Sequence, residues 1–202
     1  TELATLAEAM EGASDTAGYD LAVASYEAKS FSVGSQEGNS LGFSLNPTGT
    51  KLYAVGYAND TIYQYSLSTA FDISTASYDS VSFSVGGQAT LPWTVTLNPT
   101  GTKLYVYDSG GNNIYQYSFA TAYDVSTLSY DSVSLSVGAQ DTGGQDVRFN
   151  NAGTKLYYVG VDNDSVYQYS LSSAFDISTA TYDSVSFAFG SQDANPRSIQ
   201  FN

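Results

Sequence analysis

Residues 63–78 read YQYSLSTAFDISTASY, and the stretch returns as YQYSFATAYDVSTLSY at 115–130 and YQYSLSSAFDISTATY at 167–182. The offset is 52 residues each time, without insertion, and Gly34, Gly86, Gly138 and Gly190 keep the same spacing. A fixed period of this size marks a protein built by stacking one structural unit. Upstream, Tyr19-Asp20-Leu21 through Ser25-Tyr26-Glu27 matches Phe71-Asp72-Ile73 through Ser77-Tyr78-Asp79, so 19–30 reads as the tail of an earlier copy.

Working outward from this stretch, each copy holds four candidate strands. The first alternates apolar and polar residues, with Phe43/Leu45, Val95/Leu97, Val147/Phe149 and Ile199/Phe201 at the apolar positions of 42–46, 94–98, 146–150 and 198–202. Alternation with period two puts one face in a core. A Pro-Thr-Gly-Thr turn follows at Pro47 and Pro99, replaced by Asn151-Ala152-Gly153-Thr154 in the third copy. Pro supplies a fixed φ and Gly a positive one. The second strand starts at Lys51, Lys103 and Lys155 and ends in turns rich in Asn, Asp and Gly. The third is Ile62–Leu67 with its copies, and after a polar link (68–77) the fourth is Val81–Val85. Four strands and three turns in one period leave no room for a crossover helix, so the sheets are antiparallel. The fold expected is all-β, a β-propeller of four-stranded blades.

The copies divide the chain into 1–18, an N-terminal helix and linker, and 19–202, a propeller segment with full repeats 31–82, 83–134 and 135–186 between partial blades at 19–30 and 187–202. In residues 1–12, Leu3, Leu6 and Met10 share a helical face and Gly12 suits a C-terminal cap; a short helix packed on the first blade and the end of a coiled coil both fit. Propellers close as rings of ~4–8 blades, so the expectation is a segment of a longer polypeptide, or one part of an oligomer, whose partners are further blades or subunits.

Composition restricts the chemistry. The chain has 18 Tyr against one Trp and one Met, and neither His nor Cys. The His base of serine and cysteine hydrolases, thiol chemistry, disulfides, His-ligated metals and iron–sulfur clusters are therefore excluded, and no cofactor is expected. A net charge of −14, from 20 acids and 6 bases, disfavours nucleic acid and anionic membrane surfaces. The apolar runs are too short to cross a bilayer. Asp72, Asp124 and Asp176 open an Asp-x-Ser-Thr turn in every copy, and Asp79, Asp131 and Asp183 follow a Tyr at the fourth strand; residues repeated this way read as turn or capping groups bonded to nearby amides. Asp162-Asn163-Asp164 packs oxygens densely, but its counterparts do not, so it reads as a turn rather than a calcium loop. The repeated tyrosines, Tyr53/Tyr63/Tyr65 and copies, read as cross-strand pairs packed between blades with hydroxyls at the rim.

A site for one ligand must come from positions where the copies differ. The most variable stretch feeds the first strand and ends at Leu41, Trp93, Gln145 and Arg197. If the first strand is innermost, these four ring one mouth of a central channel, with Glu37, Asp141 and Asp193 nearby. Trp beside Gln, Arg and acids suits a sugar or small polar ligand; free drift of a loop after duplication would give the same variation.

The hairpin Asn98-Pro99-Thr100-Gly101-Thr102-Lys103-Leu104-Tyr105-Val106 resembles the lactonase-like, YVTN-type propeller repeat, and the longer unit from Tyr63 to Tyr78 resembles tandem repeats of large surface proteins of marine bacteria and of phage tail and fibre proteins. The resemblance covers 19–202. Members with lactonase activity use His and carboxylates around the channel, and this chain has no His. The function expected from the resemblance and from the near-identity of the blades is a non-enzymatic structural module of an extracellular or virion-surface protein, such as a phage tail fibre, for adhesion and host attachment through surface carbohydrate. The alternatives are a carboxylate-dependent hydrolase or lyase acting on a sugar or lactone, and a protein-interaction scaffold.

Overall fold

The computed structural model describes residues 25–201. The helix expected over 1–12 and the start of the partial copy lie outside them. Two compact units are distinguished, Ser30–Gln200 and Thr1–Lys29 with Phe201–Asn202. In the described part of the latter, Lys29 pairs with Glu27 at 3.0 Å.

The unit Ser30–Gln200 contains three four-stranded antiparallel sheets: β1 (Ser40–Leu45), β2 (Lys51–Gly56), β3 (Thr61–Leu67) and β4 (Ala76–Ser84); β5 (Pro92–Leu97), β6 (Lys103–Asp108), β7 (Asn113–Phe119) and β8 (Leu128–Ser136); β9 (Gly144–Phe149), β10 (Lys155–Gly160), β11 (Ser165–Leu171) and β12 (Ala180–Ala188). Strands pair in chain order within each sheet. The architecture is that of β-propeller blades. β1 lies against β5 and β5 against β9, so the first strand of each blade is innermost. Each sheet spans the boundary between two sequence copies, and Phe83 near the end of β4 packs its ring on Tyr117 of the next blade, 5.8 Å between centroids.

Local chemistry sets the turns. Asn46 begins a turn in which Gly49 N–H donates to Asn46 C=O at 2.9 Å, while the Asn46 carboxamide accepts from the amides of Thr50 and Lys51. Gly49 has φ +66, and Phe71 lays its ring over it so closely that a Cβ would sit 2.5 Å from the ring. The link to the fourth strand contains a 3-10 turn, Ile73–Thr75, whose N-cap Asp72 accepts from Ser74 N–H, as expected for this periodic acid.

Three expectations need correction. The fourth strand begins at Ala76, inside the stretch read as polar link, because Ala76, Ser77 and Tyr78 pair with Leu67, Ser66 and Tyr65 before a bulge at Asp79 and Ser80. That bulge, with Ser80 at φ 59, turns Asp79 toward side chains rather than amides: Lys51 Nζ at 2.7 Å and Gln64 Nε2 at 2.8 Å. Ser198–Phe201 is not a strand; the Ile199 amide is spent on the Asp146 carboxylate, 3.3 Å away.

Packing between blades forms the core. Tyr53, Val55 and Ile62 of the first sheet interlock with Val95, Leu104, Val106 and Tyr117 of the second, and Tyr105, Tyr107 and Ile114 meet Val147, Leu156 and Tyr169 of the third. The alternating face of the first strand is buried at Val95 and Val147, while Phe43 is 46% exposed. The tyrosines pair as expected, Tyr65 opposite Tyr78 with centroids 5.5 Å apart. Tyr53, however, is fully buried and its hydroxyl reaches the next blade instead of the rim.

Candidate functional site

Because the inner strands are neighbours, equivalent positions of successive copies come together. Leu41, Trp93, Gln145 and Arg197 line one cavity of about 360 Å³, with Phe43, Thr94, Asp146, Arg148 and Ser198. That volume lies at the small end of the range for ligand pockets, ~300–1,000 Å³. Gln145 organises it: its Oε1 accepts from Trp93 Nε1 at 3.2 Å and from Arg197 Nη1 at 2.8 Å, while its Nε2 donates to Gly143 C=O at 3.2 Å. The amide is buried, Trp93 is half-buried and Arg197 is exposed.

Behind Gln145 lies a second set of groups. Asp146, 2% exposed, takes Thr94 Oγ1 (3.3 Å) and Val147 N–H (2.9 Å) on Oδ1, and Ser198 Oγ (2.5 Å) and Ile199 N–H on Oδ2. Arg148 Nε pairs with the same Oδ2 at 3.3 Å and Nη1 donates to Thr96 Oγ1 at 3.3 Å. A buried carboxylate needs such donors, since an unpaired one would be strongly disfavoured. Three of the six basic residues, Lys51, Lys103 and Lys155, are held in the periodic Asp pairs. Both arginines face this one cavity. The arrangement offers an aromatic face, two guanidinium groups, hydroxyls and one carboxylate to a polar, anionic or polyhydroxylated ligand.

Glu37, Asp141 and Asp193 are not at this cavity. They occupy one repeat position, and each closes a loop. Glu37, 1% exposed, accepts from the amides of Asn39 and Ala58 at 2.9 and 3.1 Å; Asp141, 2% exposed, accepts from Gly143 at 2.8 Å and Asn163 at 3.0 Å; Asp193 accepts from Asn195 at 2.8 Å. The second copy has Ala89 there, and Asp108, on the neighbouring strand, takes over by accepting from Leu91, Gly110 and Gly111. Amide bonds of this kind are a local structural task, and none of the three acids lines the cavity.

Asp146, Arg148, Thr94 and Ser198 lie outside the variable segment that feeds the first strand; their signal is inside the strand itself. Gly42, Thr94, Asp146 and Ser198 share one repeat position and Ser44, Thr96, Arg148 and Gln200 another, so only the third copy places two charges on an inner strand.

Among the described residues no cluster of three or more Asp, Glu, His or Cys is placed to hold a metal ion, and no helix is long and apolar enough to cross a membrane.

No protein-family model matches the chain, and no curated protein matches it. Solved structures do. A Bacteroides uniformis protein named as a candidate 6-phosphogluconolactonase is 14% identical, with a TM-score of 0.53 over 71% of this chain and 39% of its own. A Bacteroides fragilis protein named in the same way is 17% identical, with a TM-score of 0.53 over 71% and 40%. The periplasmic gluconolactonase of Pseudomonas aeruginosa is 11% identical, with a TM-score of 0.50 over 74% and 40%. This chain thus spans about two fifths of the length of these structures. At these identities the likeness establishes a β-propeller fold. It also corrects the expectation of a non-enzymatic module, since three of the structures that share the fold are named as lactonases. Near-identical blades were the reason for that expectation, and the inner strands, where the charged and aromatic groups meet, are where the blades differ most.

Proposed function

We propose that this chain belongs to a propeller hydrolase acting on a small, oxygen-rich lactone of the sugar-acid class, bound at the Trp93–Gln145–Arg197 cavity. The observation that carries the reading is the convergence of the single Trp and both Arg of a strongly acidic chain on one inner cavity around Gln145. The names of the structures that share the fold support the same substrate class.

The chemistry follows from the residues. Opening a lactone adds water to its carbonyl and then breaks the ring C–O bond, the proton taken from the water by the base passing to the released ring oxygen. Charge develops on the carbonyl oxygen on the way, and donors aimed there stabilise the transition state. Arg148 and Arg197 supply such donors. Trp93 offers a flat apolar face to the C–H side of a sugar ring, and Gln145 and Thr94 offer polar groups for its hydroxyls. Without His, the base falls to a carboxylate, and Asp146 is the one that lines the cavity. Its Oδ2 is covered by the exposed hydroxyl of Ser198; rotation of that hydroxyl admits a water within hydrogen-bond reach of the carboxylate, as a general base requires.

The test is hydrolysis of δ-lactones of aldonic acids and of their phosphorylated forms, followed by acid release, for the wild type, Asp146→Asn and Arg148→Gln. Turnover that falls by about 10²-fold or more in each variant, with the fold retained by circular dichroism, is the expected result. Retention of ligand without turnover, or turnover indifferent to both substitutions, overturns the reading.

A further inference from the structure

We propose that Tyr107 and Tyr158 are positioning residues for this cavity: their buried hydroxyls fix the turn from Asp141 to Gln145, and through Gln145 the orientation of Trp93 and Arg197. The purpose of the cavity rests on the sugar-lactone reading; the ordering of Trp93 does not.

The repeat supplies the comparison. Where the second copy has Tyr107 the others have Val55 and Val159, and where the third has Tyr158 the others have Ala54 and Val106. Asn112 stands where the others have Asp60 and Asp164, and Gly144 where they have Ser40, Pro92 and Pro196. Four departures, far apart in sequence, meet at one place between the second and third sheets. At the equivalent place between the first and second sheets stand Val55 and Val106, both buried, so blade packing does not require phenols at these two positions.

Two hydroxyls in an apolar interface are costly unless bonded; here both are bonded, and one of them reaches the turn directly. The Tyr158 hydroxyl donates to Asp141 C=O at 2.8 Å. The Tyr107 hydroxyl donates to Asn112 Oδ1 at 3.0 Å, and the two oxygens lie 3.3 Å apart. Gly144 rests on the pair: a Cβ there would lie 2.3 Å from both hydroxyl oxygens. The next residue is Gln145, whose carboxamide holds Trp93 and Arg197. Burial raises both phenol pKa values, which keeps the hydroxyls protonated through the neutral range.

Trp93 is the only Trp in the chain, so its fluorescence reports on the cavity without any substrate. Tyr107→Phe and Tyr158→Phe keep the rings and remove the hydroxyls. The measurement is the Trp93 emission maximum and its quenching by acrylamide, with Gln145→Ala as reference and circular dichroism as the check of folding. Each single variant is expected to raise quenching by at least half the increase given by Gln145→Ala, and the double variant to match it. Unchanged quenching in the folded variants overturns the proposal. Should the double variant not fold, the single variants and Asn112→Gly, which removes the acceptor and suits the φ of 52 at that position, decide the matter by the same criterion. Lactone turnover measured alongside separates the two ideas, since an inactive wild type sinks the substrate reading while leaving the Trp93 result to stand or fall by itself.

Discussion

The hydroxyl of Tyr53, in the first sheet, donates to the main-chain carbonyl of Tyr123 in the second, 2.8 Å away. Tyr105 does the same for Phe175 in the third, at 2.5 Å. The accepting residues are themselves unusual, for Tyr123 and Phe175 have φ of 63 and 60, a left-handed conformation that costs a bulky side chain ~1–2 kcal/mol. Each is held on three sides. Its amide bonds the hairpin glycine, as Tyr123 N–H does Gly101 C=O at 3.0 Å; its ring covers that glycine; and its carbonyl is taken by the tyrosine of the preceding blade.

Tyr53→Phe leaves the Tyr123 carbonyl without this partner while preserving the packing of the ring. The expected loss is about 1–3 kcal/mol, read from urea denaturation, and Tyr105→Phe should cost a similar amount. A change within error for both would mean that the blades are joined by apolar packing alone.

The periodic Asp–Lys pairs make the protein sensitive to acid. Lys155 Nζ lies 2.8 Å from Asp183 Oδ2, and hydrogen bonds from Lys155, Ser170 and Gln168 lower the Asp183 pKa to about 2. For Asp79 and Asp131 burial pushes upward, yet bonds from Lys, Ser and Gln outweigh it and the net shift is also downward. A carboxylate depressed on folding stabilises the native state fully above its unfolded pKa of ~4, and that contribution is lost as pH falls through the folded value. Stability should therefore drop between about pH 4 and pH 2, and Asp183→Asn should flatten that part of the stability profile. The same network ties neighbouring blades, since Gln64 donates to Asp79 and accepts from Val125 N–H at 2.8 Å.

An acid and a glycine exchange places between blades. The carboxylate that locks the loop comes from Glu37 or Asp141 in the first and third blades, where the facing strand has Gly56 or Gly160; in the second blade Ala89 faces Asp108. A Cβ on Gly56 would lie 2.7 Å from Glu37 Cγ and 2.1 Å from the main-chain oxygen of Asn39. Gly56→Asp should destabilise by overpacking, about 1–3 kcal/mol, and Glu37→Ala combined with Gly56→Asp should recover the part of the loss owed to Glu37, the main-chain contact with Asn39 remaining. Two single-mutant losses that simply add would exclude the exchange.

That exchange also shows what the sequence disclosed. The period fixed the blades, and turn chemistry placed the hairpins, because Pro, Gly and Asn act on their own backbone. Leu41, Trp93, Gln145 and Arg197 could be brought together because equal repeat positions become neighbours once first strands are innermost. Glu37, Asp141 and Asp193 sit away from the cavity: variability alone does not distinguish a group facing a cavity from one that swaps a structural task with another strand. The bulge at Asp79 was hidden for a related reason: its partners, Lys51 and Gln64, are on two other strands, and only the register reveals them.

Buried phenols should govern the alkaline limit. Burial raises the pKa of Tyr53, Tyr105, Tyr117, Tyr158 and Tyr169, and pushes Tyr65 up to about 12. A group whose pKa rises on folding contributes stability below its unfolded value, ~10 for Tyr, and loses it as pH climbs toward the folded value. Absorbance titration of tyrosinate should therefore show a buried class that ionises only together with unfolding, detected as coincident changes in absorbance and circular dichroism. A single transition near pH 10 with the fold intact would contradict the burial of these rings.

Gly42 sets how closely the first two blades approach at the cavity. A Cβ there would lie 2.6 Å from Thr94 Cα and 2.9 Å from Trp93 O, both main-chain atoms that cannot turn aside as a side chain could. The equivalent positions carry Thr94, Asp146 and Ser198, so the glycine is no requirement of the blade itself but of this one contact between β1 and β5. Gly42→Ala should push the strands apart, costing about 1–3 kcal/mol, and should shift Trp93 emission to the red as its backbone is displaced from the Gln145 contact. Gly38→Ala, where a Cβ meets nothing, is the control expected to leave both unchanged. If Gly42→Ala lowers stability but leaves Trp93 emission as it was, the strand spacing belongs to packing alone and the cavity owes its shape to Gln145.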